Sequence, residues 1–172
     1  MPVSPPGGPP AHHLHPCMLF APREEHLVTT LLGSCVAVCL HDPRMEVGGI
    51  NHYMLALWNG EGLATPKYGS IAIPALVRAM LDLGCARERL VAKVFGGGNV
   101  IGDSRALLTV GHRNIQVAQD LLAQEGIPIV ARDVGGDTGR KLIFNTRTGT
   151  VLMSRMKRAD GAPLALPDGR IR

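Results

Sequence analysis

Cys35 follows Gly33-Ser34 at the mouth of an apolar run, Cys35-Val36-Ala37-Val38-Cys39-Leu40, and His52 comes seventeen residues later inside a second apolar segment. A thiol placed just after a tight turn can stay accessible. A histidine on a neighbouring strand can take its proton, and the thiolate is the form that attacks. A Gly-Ser turn can also aim backbone N–H groups at one point, which is what a developing oxyanion needs. Such a pair needs a third group to orient the imidazole, and Thr29, Thr30, Ser34 and Asn51 are all local candidates. The bland alternative for any cysteine in an apolar run is a small buried hydrophobe. Cys39 and Cys85 read that way, because neither has comparable surroundings.

A metal site competes for the same residues. Cys35, Cys39, His41 and His52 spell C-x3-C-x-H-x10-H, four zinc-type ligands in eighteen residues. On a straight strand, however, a Cys-x3-Cys pair spans roughly 13 Å at ~3.3 Å per residue. Both sulfurs cannot then lie ~2.3 Å from one zinc. We therefore expect no metal and no cofactor. The clusters Gly96-Gly97-Gly98 and Gly135-Gly136 fit neither a dinucleotide nor a Walker pattern, and read as tight turns at strand ends.

The elements that must position Cys35 and His52 follow from periodicity. Cys17 to Ala21 reads as a first strand and Glu24 to Thr30 as a second extended segment. Cys35 to Leu40 is a buried strand of small and β-branched residues. His41-Asp42-Pro43-Arg44 is a turn, and Ile50 to Leu55 returns as the next strand, a hairpin that would bring Cys35 and His52 near one end. A helix starts with Ser70 as its cap and Pro74 in its first turn, carries Ile73, Leu76, Val77, Met80 and Leu81 on one face, and stops at Gly84. Leu90 to Phe95 is a strand. A second helix runs from His112 to Gln124, and Ile127 to Arg132 is a strand. Lys141 to Asn145 and Thr150 to Met156 form a terminal hairpin around 146–149. With strands early and late and β–α alternation between, the expected fold class is α+β: a layered α/β/β sandwich, two sheet layers with two main helices on one side.

Residues 1–16, rich in proline, glycine and histidine, read as a disordered leader. Residues 17–157 form the domain, and 158–172 a flexible basic tail. The net charge of +4 owes much to Arg155, Lys157, Arg158, Arg170 and Arg172 in the last eighteen residues. It is therefore an end effect, and with aromatics at 3% the composition argues against nucleic acid as a partner. No stretch approaches the ~18 continuous apolar residues of a membrane span, so no membrane insertion is expected. The leader has no apolar core of a secretory signal, and the four cysteines read as free thiols of a cytoplasmic protein.

Taken together, Thr29-x-Leu31-Leu32-Gly33-Ser34-Cys35-Val36, Asp42-Pro43 and Gly48-Gly49-Ile50-Asn51-His52-Tyr53-Met54-Leu55 resemble the CheD family, the chemoreceptor glutamine deamidases of bacterial chemotaxis. Further pieces extend the resemblance over residues 17–157: Ala92-Lys93-Val94-Phe95-Gly96-Gly97, Gly111-His112-Arg113-Asn114, and Asp133-Val134-Gly135-Gly136-x-x-Gly139-Arg140. The resemblance implies a Cys-His-Thr triad on Cys35, His52 and Thr29, choosing Thr29 from the local candidates. It implies hydrolysis of receptor glutamine side chains to glutamate through a thioester, with receptor methyl esters as substrates of some members. The implied partners are chemoreceptor cytoplasmic domains and, in some bacteria, a CheC-type phosphatase. A non-catalytic binding module acting on that phosphatase or on a receptor is the alternative; retention of Cys35, His52 and Thr29 favours the enzyme. The chain departs from the family pattern at Ala56, at Gly98 and Val100 around Asn99, and at His112, none of them in the implied triad.

Overall fold

The computed structural model describes residues 6–100 and 109–156. The expected basic tail, 158–172, lies outside the described residues. Within them the strands are β1 (Ala11–His13), β2 (Met18–Phe20), β3 (Leu27–Leu32), β4 (Val36–Asp42), β5 (Val47–His52), β6 (Val91–Gly96), β7 (Ile129–Val134), β8 (Gly139–Asn145) and β9 (Val151–Met156). The helices are α1 (Gly69–Asp82) and α2 (Val110–Gln124), with a short 3-10 turn at Arg87–Arg89. One sheet has the order β1-β3-β8-β9 and the other β2-β5-β4-β6-β7. Neighbours are antiparallel except β1 with β3 and β6 with β7.

The larger sheet is the middle layer. On one face, Val36, Val38, Leu40 and Tyr53 pack with Ile73, Leu76, Val77 and Met80 of α1 and Val117, Ala118 and Leu122 of α2. On the other face, Ala37, Cys39, Ile50 and Phe95 meet Val28, Leu32, Leu142 and Phe144 of the smaller sheet. This two-sided burial explains why Val36–Asp42 reads as an almost unbroken apolar run: both faces of β4 are covered. The architecture is the expected α+β sandwich, two sheets with both helices on one side.

Several local expectations change. The composition of 1–16 predicts a disordered leader, yet residues 11–13 form β1, a parallel edge strand beside β3. Leu14 follows it into the core between the sheets, 1% exposed. An alanine, two histidines and a buried leucine leave no periodicity for a sequence to display, and the strand exists because β3 offers it an edge. Ser70 does not cap α1. The N-cap is Tyr68, without a side-chain cap bond, and Pro74 lies inside the helix. The Ser70 hydroxyl instead accepts from the Trp58 N–H at 3.0 Å, pinning the 58–68 loop. The cap on α2 is Thr109, which accepts from the His112 N–H at 3.1 Å. The turn after β4 is an Asx turn, in which the Asp42 carboxylate takes the N–H groups of Arg44 and Met45 at 3.0 and 3.2 Å. The Arg89 guanidinium beside it holds that carboxyl below its usual range, although its burial works the other way.

Candidate active site

Antiparallel pairing of β4 with β5 places Cys39 opposite Ile50. The ladder continues to a bridge between Val36 and Tyr53. Side chains alternate across a strand, so Cys35, Ala37 and Cys39 share a face with Ile50 and His52. Met54 stands across from Cys35 in this register, and His52 is its diagonal neighbour on the same face, a spacing of about 7–8 Å in sheet geometry. That face looks toward the smaller sheet, where Val28, Thr30 and Leu32 of β3 point inward.

His52 is almost wholly buried, and its Nδ1 lies 2.8 Å from the Thr30 hydroxyl. The same hydroxyl donates to the Leu14 carbonyl at 2.8 Å. A threonine has one proton to give. With that proton on Leu14, Thr30 can only accept from the imidazole, so Nδ1 carries the hydrogen and Nε2 keeps its lone pair. Nε2 has no hydrogen-bond partner among the described residues. The arrangement is a base held in one tautomer with its basic nitrogen unoccupied.

Thr29, the orienting group that the family resemblance implies, is not the threonine found at His52 Nδ1. Thr29 and Thr30 are adjacent on β3 and therefore point to opposite faces. Thr30 is fully buried between the sheets, whereas Thr29 lies half-buried on the other side. What Thr29 offers this region is its backbone carbonyl, which accepts from the Leu14 N–H at 2.9 Å. Of the other local candidates, Asn51 is used elsewhere: its Oδ1 accepts from the Val38 N–H at 2.9 Å.

Cys35 is a free, partly buried thiol just before β4. Its carbonyl accepts from the Gly97 N–H at 2.8 Å, and the Gly33 carbonyl accepts from the Gly98 N–H at 2.9 Å. The glycine run after β6 thus clamps the turn that carries Cys35. Gly96, at φ +108°, has no room for a side chain, because a Cβ there would collide with the Cys35 carbonyl oxygen. From α2, the Asn114 amide donates to the Ser34 carbonyl and to the Met54 carbonyl, each at 2.9 Å. The Tyr53 hydroxyl donates to the Asn114 carbonyl at 2.5 Å. Nothing local in the sequence marks Asn114 or Leu14 for these contacts, whose partners lie eighty and sixteen residues away.

Burial pushes the Cys35 thiol up to about 11; the nearby Cys17 thiol adds to this, and the residue's own backbone N–H opposes it. Burial likewise pulls His52 down to about 4, helped by His13. Both causes favour the neutral forms, so at neutral pH the resting pair is thiol and imidazole, not an ion pair. No hydrogen bond joins Cys35 to His52 among the described residues. The ligands of the zinc alternative are dispersed: Cys39 is sealed between the sheets, and His41 Nε2 lies 2.7 Å from the Arg147 carbonyl. No group of three or more histidine, cysteine, aspartate or glutamate side chains among the described residues is placed to hold a metal.

A pH prediction follows from the buried imidazole. Its pKa falls from 6.5 to about 4 on folding, so its stabilising contribution is complete above pH 6.5 and lost as pH drops toward 4. The loss is about 3 kcal/mol at 1.36 kcal/mol per pH unit. Urea unfolding at pH 7 and pH 4.5 should show most of this decline in the native protein. In His52→Gln the decline should be much shallower; an equal decline in both proteins would refute the assignment.

The surroundings are apolar and exposed. Met18 pairs with His52 across β2 and β5 and is 54% exposed, and Met54 and Leu55 are each 37% exposed. No helix among the described residues is long and apolar enough to cross a membrane.

Residues 54–155 match the family described as CheD chemotactic sensory transduction. That segment begins just after His52, so the relatives matched over more of the chain carry the comparison across the site. A Trichlorobacter lovleyi protein named "Probable chemoreceptor glutamine deamidase CheD" is 53% identical over 146 residues, 85% of this chain and 91% of that protein. A Sulfurimonas denitrificans protein of the same name is 44% identical over 150 residues, 86% of this chain and 96% of that protein. An Anaeromyxobacter dehalogenans protein, "Probable chemoreceptor glutamine deamidase CheD 1", is also 44% identical, over 87% of each chain.

Proposed function

Because the chain belongs to the CheD family, we propose that it is a chemoreceptor glutamine deamidase, an amidohydrolase with Cys35 as nucleophile, His52 as base and Thr30 as the group that orients the base. The observation that carries this reading is the Leu14–Thr30–His52 chain of hydrogen bonds. It leaves a basic Nε2 on the same sheet face as a partly exposed thiol.

In this reading His52 Nε2 takes the Cys35 proton as sulfur attacks the glutamine Cδ. The carbonyl π bond opens to an oxyanion beside the Cys35 N–H. The tetrahedral adduct collapses, the C–N bond breaks, and His52 returns its proton to the departing ammonia. Water, deprotonated by the same nitrogen, then attacks the thioester and releases glutamate and the thiol. A threonine stabilises the transient imidazolium less than a carboxylate would, which suits a slow regulatory enzyme. The exposed Met18, Met54 and Leu55 offer apolar contact to the stretch of receptor that carries the glutamine.

The test is to incubate the purified protein with receptor cytoplasmic fragments and map them by mass spectrometry while measuring ammonia. Conversion of particular glutamines to glutamate with matching ammonia is expected. Unchanged fragments from a panel of receptors, with the protein folded, would refute the assignment. Absence of turnover combined with tight receptor binding would point to a binding module instead.

A further inference from the structure

Asn114 is the fifth residue of α2 and is completely buried, yet its side chain reaches across to the turn that leads into β4 and to the segment that follows β5. Both acceptors, the Ser34 and Met54 carbonyls, are oxygens, so only the amide nitrogen can face them. One of those carbonyls belongs to the peptide bond that enters Cys35. The other lies two residues past His52. Tyr53 closes the ring: its backbone pairs with Val36 in both directions, at 3.0 and 3.1 Å, and its hydroxyl holds the Asn114 carbonyl.

We propose that Asn114 is a positioning residue for the reaction: by holding the Ser34 carbonyl toward α2, its amide fixes the Ser34–Cys35 peptide so that the Cys35 N–H faces the reacting sulfur and the oxyanion that forms beside it. In a planar trans peptide the C=O and N–H point in opposite directions, and there is no cis peptide among the described residues. A carbonyl anchored on the helix side therefore turns the N–H away from the helices, toward the sheet interface where Cys35 and His52 lie. The residue's own backbone N–H opposes the upward push of burial on the thiol, in keeping with this orientation. Donation into the carbonyl also polarises the peptide and strengthens its N–H as a donor. Without the amide the Ser34–Cys35 peptide is free to rotate, and the donor is no longer preorganised.

This rests on Cys35 being the nucleophile, but its test does not need turnover. The rate of Cys35 alkylation by iodoacetamide is measured from pH 7 to pH 11, resolved from the other cysteines by peptide mapping. In Asn114→Ala, and in Asn114→Leu, which preserves side-chain volume, the profile should move to higher pH. Alkylation at pH 8 should slow about tenfold, the effect of raising the thiol by about one pH unit. Tyr53→Phe is the comparison: it removes the hydroxyl that holds the Asn114 backbone but keeps the Asn114 amide, so it should lower the melting temperature while shifting the alkylation profile less than the Asn114 variants do. A folded Asn114 variant with the native profile overturns the proposal, as does a Tyr53→Phe profile shifted equally. If neither Asn114 variant folds, the native protein decides. The Cys35 amide proton should move downfield as the thiol ionises, and an amide resonance that does not respond overturns the proposal. Failure to deamidate receptors would remove the proposed function while leaving these measurements intact.

Discussion

Cys35→Ala is expected to reduce ammonia release from receptor fragments at least 10³-fold, to the background of the uncatalysed reaction, while the melting temperature changes little. The magnitude follows from covalent catalysis: without the sulfur no thioester forms, and the remaining donors can only bind the amide. Little stability is at stake because the side chain is only partly buried before β4, and the turn is held by backbone bonds from Gly97 and Gly98 that alanine retains. Iodoacetamide trapping of the native protein should give the same loss. Turnover within tenfold of the native rate in the folded variant would eliminate Cys35 as nucleophile. Cys17 would be the next residue to examine, because its N–H bonds the His52 carbonyl and its sulfur lies 3.4 Å from the Met54 sulfur.

The second large effect separates two adjacent threonines. Thr30→Val keeps the shape of the side chain but leaves the Leu14 carbonyl and the His52 Nδ1–H without their partner. Each buried group stranded in this way costs about 1–3 kcal/mol. The variant should therefore lose about 2–4 kcal/mol of stability. Activity should fall about 10²-fold, because the imidazole is no longer held to one tautomer and general-base catalysis is worth 10²–10⁴-fold. Thr29→Val should stay within about twofold of native activity. It keeps the backbone carbonyl that receives Leu14, and its side chain lies on the face away from His52. The measurement is kcat on receptor fragments together with urea unfolding for both variants. A larger activity loss in Thr29→Val than in Thr30→Val would restore Thr29 to the role that the family resemblance implied and would refute the tautomer derived from the hydrogen bonds.

Much of the architecture could be read from residue order. The apolar run of β4, the Asp-Pro turn, the period of Ile73, Leu76, Val77 and Met80, and the glycines after each helix are local signals. Each corresponds to an element within a few residues. What failed were features that exist only through a neighbour. β1 has no pattern of its own and forms because β3 presents a free edge. Ser70 looks like a cap, but the loop from Trp58 claims its hydroxyl.

For the site, the sequence by itself determined which chemistry was available: a thiol after Gly33-Ser34, one buried histidine on the next strand, and a choice of hydroxyls near both. It could not choose between Thr29 and Thr30, because neighbours on a strand differ only in the face they present. The facing is set by the pairing of β3 with β8, where Thr30 stands opposite Leu142. The tertiary structure made that choice and delivered two groups from far along the chain. The Leu14 carbonyl takes the only proton of Thr30 and so sets the tautomer of His52. The Asn114 amide, from a helix beyond the sheet, holds the peptide that leads into Cys35. Hydrogen-bond partners separated by sixteen and eighty residues are defined by layers packing together, and no local spacing encodes them.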